Sequence, residues 1–122
     1  MTIKEIIDLC LSKKCAYLDL PFGEIPICIK VKGRIFAQIY FKENDLKLTL
    51  NCEPMTGEFY KSQYKNTVIR AYHCPAIQQP YFYTVLLNGA VSDEELWRMI
   101  ELSYKTVVGK LTKKLQLEIE NE

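Results

Sequence analysis

The run IPICIKVKGRIFAQIYF, Ile25 to Phe41, constrains this chain more than any other feature. Two apolar-rich segments meet at one glycine, so the fold is built around a β-hairpin. The strands run from about Ile25 to Lys32 and from Arg34 to Phe41, joined at Gly33. A two-residue turn sets Val31 opposite Arg34 and Ile29 opposite Phe36. A three-residue loop sets Val31 opposite Ile35, Ile29 opposite Ala37 and Ile27 opposite Ile39, which gathers one apolar face. The second register is preferred. It leaves Cys28, Lys30, Phe36, Gln38 and Tyr40 on the other face. LKLTLN continues the sheet, with Leu46, Leu48 and Leu50 on the core side and Lys47, Thr49 and Asn51 opposite.

A sheet with one apolar face needs a cover, and the flanking segments supply it. Thr2-Ile3-Lys4-Glu5 forms a capping box, and Ile3, Ile6, Ile7, Cys10 and Leu11 recur at helical spacing, so a first helix ends near Lys13-Lys14. Pro21-Phe22-Gly23 breaks the chain before the hairpin, and Glu43-Asn44-Asp45 turns it afterwards. Pro54 suits the first turn of a second helix carrying Phe59, Tyr60 and Tyr64, with Gly57 weakening its middle. Strands over Thr67 to His73 and Tyr81 to Leu87 flank a loop from Pro75 to Pro80. Ser92-Asp93-Glu94-Glu95 caps a long final helix whose buried stripe is Leu96, Ile100, Ser103, Tyr104, Val107 and Leu111. Lys110, Lys113 and Lys114 complement its C-terminal dipole, and Leu115 to Glu122 reads as a mobile tail. The expected fold is one α+β domain over residues 1–122, a two-layer sandwich of order α-β-β-β-α-β-β-α on a five-stranded antiparallel sheet.

Little in the chain looks like chemistry. His73 is the only histidine and sits beside Cys74, but neighbours on a strand point to opposite faces, which works against a nucleophile–base pair. Five cysteines without a C-x-x-C pair supply no metal set and fit free thiols in a reducing cytoplasm. The five glycines are scattered, so no phosphate-cradling loop is present. No catalytic residue, metal or cofactor is expected, and no apolar run is long enough to span a membrane. A formal net charge of +1 favours no class of partner by itself.

Five stretches, in order, resemble the MmcQ/YjbR family of small bacterial proteins: LPFG (Leu20 to Gly23), IKVKGRIFA (Ile29 to Ala37), LNCEP (Leu50 to Pro54), AYH (Ala71 to His73) and DEELWRMIELSYKTV (Asp93 to Val107). The resemblance implies a fold similar to secretion-chaperone domains and a DNA-binding, "double-wing" role without catalysis. Two positions depart from the family pattern. Its Met-Asn-Lys run and following His-Trp pair are replaced by Cys74 to Phe82, and Asn51 stands where a lysine is common.

Two binding modes follow from the strand residues. In the first, DNA phosphates meet a locally basic hairpin and sheet face through Lys30, Lys32, Arg34, Lys47, Arg70 and His73. In the second, the uncovered face with Phe36, Gln38 and Tyr40 takes a protein partner or a second copy of the chain.

Overall fold

A computed structural model describes residues 1–122 as helix α1 (Ile3–Leu11), strands β1 (Ala16–Asp19), β2 (Ile27–Val31), β3 (Arg34–Lys42) and β4 (Asp45–Asn51), helix α2 (Pro54–Gln63), strands β5 (Val68–Arg70) and β6 (Phe82–Leu86), and helices α3 (Asp93–Gly109) and α4 (Lys113–Glu120). A short 3-10 helix at Ala76–Tyr81 precedes β6. The fold is α+β, with the strands in one antiparallel sheet ordered β1-β2-β3-β4-β6-β5.

The β2–β3 hairpin uses both registers. Lys32 (φ 48°) and Gly33 (φ 80°) form a two-residue turn in the left-handed region, so Val31 faces Arg34. Further from the turn, Ile29 faces Ala37 and Ile27 faces Ile39. A bulge opposite Ile29 and Lys30 takes up the difference, and Phe36 is the extra residue. It lies in the core, wholly buried and edge-on to Tyr104 at 5.3 Å. The expectation that Phe36 faces outward is therefore corrected: strict alternation fails at a bulge, and Ile35 occupies the outer face instead.

The bulge opens a gap in the ladder that α3 closes. The Ser103 hydroxyl donates to the Phe36 carbonyl at 2.6 Å and accepts the Asn51 amide hydrogen at 2.9 Å. Backbone groups sealed from water need such partners, which explains a buried serine in an apolar helix stripe. Around it Leu96, Met99, Ile100 and Val107 pack α3 on β2, β3 and β4, while α1 contributes Ile6 and Cys10. Gly57, in the middle of α2, has a packing reason: a Cβ there meets the Cys52 sulfur at 2.9 Å.

Three further expectations change. The sheet has six strands, not five, because β1 pairs along β2 as an edge strand. Tyr17 and Leu18 in β1 are both exposed, so no alternation marks it in the sequence. The segment from Leu115 to Glu122 is mostly helix rather than a free tail. Thr112 caps α4 by accepting from the Leu115 amide at 3.3 Å, and Ile119 enters the core. The fourth expected strand stops at Arg70, since His73 takes φ 51° and the chain leaves the sheet. No helix is long and apolar enough to cross a membrane.

Candidate functional site

With α1 and α3 on one face of the sheet, the other face carries Gln38, Tyr40, Lys47, Thr49 and Phe82, none of them fully exposed. Two connections fold over it: Phe22, Ile25 and Pro26 from the β1–β2 link, and Tyr72 to Pro75 with Gln78 from the β5–β6 link. They enclose a cleft of about 580 Å³. Ile35, Gln38, Tyr40, Thr49 and Phe82 form its strand-borne floor, and Lys42, Asp45 and Lys47 stand at the β3–β4 hairpin end.

The β5–β6 connection is held by side chains on its own backbone. Gln79 accepts from the Ala71 amide at 3.0 Å and donates to the carbonyls of Ala71 at 2.8 Å and Cys74 at 3.0 Å. The Tyr72 amide donates to the Thr84 hydroxyl at 2.9 Å, which meets the Thr49 hydroxyl at 2.7 Å. These bonds set the Tyr72 ring edge-on to Tyr40 at 5.0 Å and under the Lys47 ammonium at 4.6 Å. The His73 ring lies against Tyr72 with centroids 3.9 Å apart. Burial raises the Tyr40 hydroxyl above its ordinary range, so it stays protonated at neutral pH. The Cys74 thiol is also pushed up, by burial first and against the pull of Arg70; it donates to the Pro75 carbonyl at 3.7 Å and makes no bond with His73.

The residues expected to contact DNA do not gather into one basic surface. Lys30 pairs with Asp19 at 2.7 Å, and that hydrogen bond holds the lysine up and the carboxylate down. Lys32 lies 3.7 Å from Glu118 and 3.6 Å from Glu122, both brought to the hairpin tip by α4. Lys47 is buried, ion-paired with Asp45 and covered by Tyr72. Arg34 is exposed at the tip. Arg70 is exposed on β5, three strand spacings from β3, or about 14 Å away. His73 stands with the cleft. Of the outward-facing set, Gln38 and Tyr40 line the cleft while Phe36 is in the core.

Sequence reasoning passes over Phe22, Gln79 and Thr84 as parts of a site, and it assigns Ile35 to the core face, which the bulge corrects. Phe22 carried a usable signal, being an apolar residue outside every expected core face. Gln79 carried none, because an amide that clasps its own loop follows no periodicity. No three His, Cys, Asp or Glu side chains converge as a ligand set.

Known proteins resemble this chain in sequence and in fold. The chain is 26% identical over 111 residues to the uncharacterized protein YjbR of Escherichia coli, in strains K12 and O157:H7, covering 91% of either chain. The crystal structure of Deinococcus radiodurans protein DR2400, described as a DUF419 domain, superposes with a TM-score of 0.88 at 25% identity, over 98% of this chain and 88% of that one. A Pseudomonas syringae protein matches with a TM-score of 0.69 at 20% identity, over 87% of this chain and 98% of that one, a likeness of fold. The family model YjbR matches residues 11–106, and with most of the sheet, both cleft connections and most of α3 inside that span, the chain belongs to the YjbR family.

Proposed function

We propose that this protein is a non-catalytic binding module and that its ligand sits in the cleft on the uncovered sheet face. One observation carries the reading: the cleft is a shaped, largely apolar recess of about 580 Å³ whose β5–β6 link is clasped at three points by Gln79. Small-molecule sites have this form, apolar walls with a few fixed polar groups. The half-buried Tyr40 and Cys74, whose pKa values burial raises, serve such a site as uncharged walls.

A second reading, DNA contact through the hairpin and sheet face, draws on the exposed cations Arg34 and Arg70 and on the resemblance of the sequence to its family. It is the weaker of the two, because Lys30, Lys32 and Lys47 already face carboxylates.

Two titrations separate the readings. Isotopically labelled protein titrated with a library of small aromatic and aliphatic fragments is expected to show amide shifts concentrated at Gln38, Tyr40, Thr49 and Cys74. Labelled single- and double-stranded DNA is expected to give flat anisotropy near physiological salt, with no change for the Lys30→Glu, Lys32→Glu, Arg34→Glu triple variant. Micromolar DNA binding that weakens steeply with salt and is lost in the triple variant overturns the cleft reading in favour of the hairpin.

A further inference from the structure

Resting on that reading of the cleft, we propose that its ligand is a small aromatic anion: a flat ring system carrying one acidic group. The volume of about 580 Å³ lies within the range of about 300–1,000 Å³ that small-molecule sites occupy. Apolar and aromatic side chains line it above and below: Ile35, Tyr40 and Phe82 belong to the strand floor, and Phe22, Ile25 and Tyr72 come from the two connections folded over it. Such a slot favours a rigid flat body, which loses little conformational freedom on entry.

The acidic group follows from charge and from donor counting. Lys42, Asp45 and Lys47 meet at the hairpin end of the cleft, two cations against one carboxylate. Asp45 is paired with Lys47, and neither Glu43 nor any other carboxylate lies within ion-pair distance of Lys42, which leaves its charge available to a ligand. The hydroxyls add to the excess of donors. Thr84 accepts the Tyr72 amide and shares one hydroxyl hydrogen with Thr49, which leaves the second hydroxyl hydrogen of the pair without a protein acceptor. Thr84 is sealed, so a spare hydrogen there would have no partner; with Thr84 donating to Thr49, the spare hydrogen is that of Thr49, which is nearly buried but lines the cleft. An apolar slot with a surplus cation and a free hydroxyl at its polar positions is complementary to a ring bearing an anionic acceptor.

Anilinonaphthalene sulfonate and its neutral parent, phenylnaphthylamine, share a ring system and differ in the acidic group, so they test the two parts separately by fluorescence titration of the full chain. The sulfonate is expected to bind tighter by about tenfold, the size of one charge-assisted hydrogen bond. Lys42→Gln, at an exposed position, is expected to remove that advantage and leave the neutral probe unchanged. Ile35→Trp fills the slot and is expected to weaken both probes; Gln38→Trp fills it from the adjoining floor, and thermal melting shows which variant is folded. Equal affinity for the two probes, with Lys42→Gln silent, overturns the anionic ligand and leaves the cleft standing. Binding of neither probe, or binding that a folded slot-filling variant does not alter, overturns the cleft as well.

Discussion

The two hairpins that share β3 look alike in sequence and end up opposite in character. The β2–β3 turn carries Lys30, Lys32 and Arg34; the β3–β4 turn carries Lys42 and Lys47. At the first, carboxylates arrive from elsewhere: Asp19 from the edge strand, and Glu118 and Glu122 from the end of the chain. At the second, the incoming group is the Tyr72 ring, and of the turn's own carboxylates only Asp45 is ion-paired, with Lys47, while Lys42 has no carboxylate partner. A cluster of lysines in a sequence is thus only half a statement. What the fold brings against it decides whether it becomes a neutral, solvated tip or one charged corner of an apolar recess.

The contrast depends on the bulge at Phe36, because the bulge puts Ile35 and not Phe36 on the cleft side. Phe36→Ala is expected to cost about 3–5 kcal/mol in urea unfolding, as a fully buried ring does. Ile35→Ala, at a half-buried cleft position, is expected to cost distinctly less. If the two costs are reversed, β3 alternates without a bulge and the cleft loses its floor. Ser103→Ala sharpens the same point. It strips the Phe36 carbonyl and the Asn51 amide of their shared partner, for an expected loss of about 1–3 kcal/mol, whereas an ordinary helix position would gain slightly from alanine.

The hairpin, the third strand, the α1 capping box, the Ser92 cap of α3 and the core stripe of α3 were legible, because each is written as a local period or a cap within a few residues. Both registers considered for the hairpin were half right: the two-residue turn holds at Val31 and Arg34, the longer-loop pairing at Ile29 and Ala37. Periodicity could not announce the bulge, whose freed carbonyl finds its partner in a hydroxyl from α3, far along the chain. It could not announce β1 either, since an edge strand with both central residues exposed has no inner and outer face. For the site, Gln38 and Tyr40 were legible from alternation. Tyr72 and Gln79 were not, since a left-handed residue at His73 and a side-chain clasp turn that segment over the sheet. In the same way, the acidic groups facing Lys32 lie in a segment whose helix starts at Thr112 and is anchored by only one fully packed residue, Ile119.

The screening of the hairpin tip can be tested directly. The Glu118→Gln, Glu122→Gln double variant frees Lys32 from contacts of 3.7 and 3.6 Å. Exposed pairs at this separation contribute little, so the expected change in urea stability is at most about 1 kcal/mol. The double variant is also the fairest trial of the hairpin as a DNA contact. Anisotropy that stays flat with the tip lysine released means the carboxylates were not masking a binding site; a new, salt-sensitive signal makes α4 a mask and removes the contrast between the two hairpins.

The smallest expected effect lies at the other paired lysine of the tip. Asp19 titrates below its usual 3.8 in the folded chain, chiefly through its hydrogen bond with Lys30, and Lys30 titrates above its usual 10.5 for the same reason. A depressed carboxylate adds stability that is present above its unfolded value and lost as pH falls through the folded one. A raised lysine adds stability that is present below its unfolded value and lost as pH rises through the folded one. The pair therefore supports the β1 edge throughout the neutral range and releases it only in strong acid or strong base. Asp19→Asn is expected to flatten the acid limb of the stability profile below about pH 4, with amide exchange speeding up in β1 before the rest of the sheet. An unchanged acid limb, or exchange that stays slow in β1, means the edge is held by its ladder to β2 alone. The tip lysine would then be an unpaired charge, like the one at the cleft.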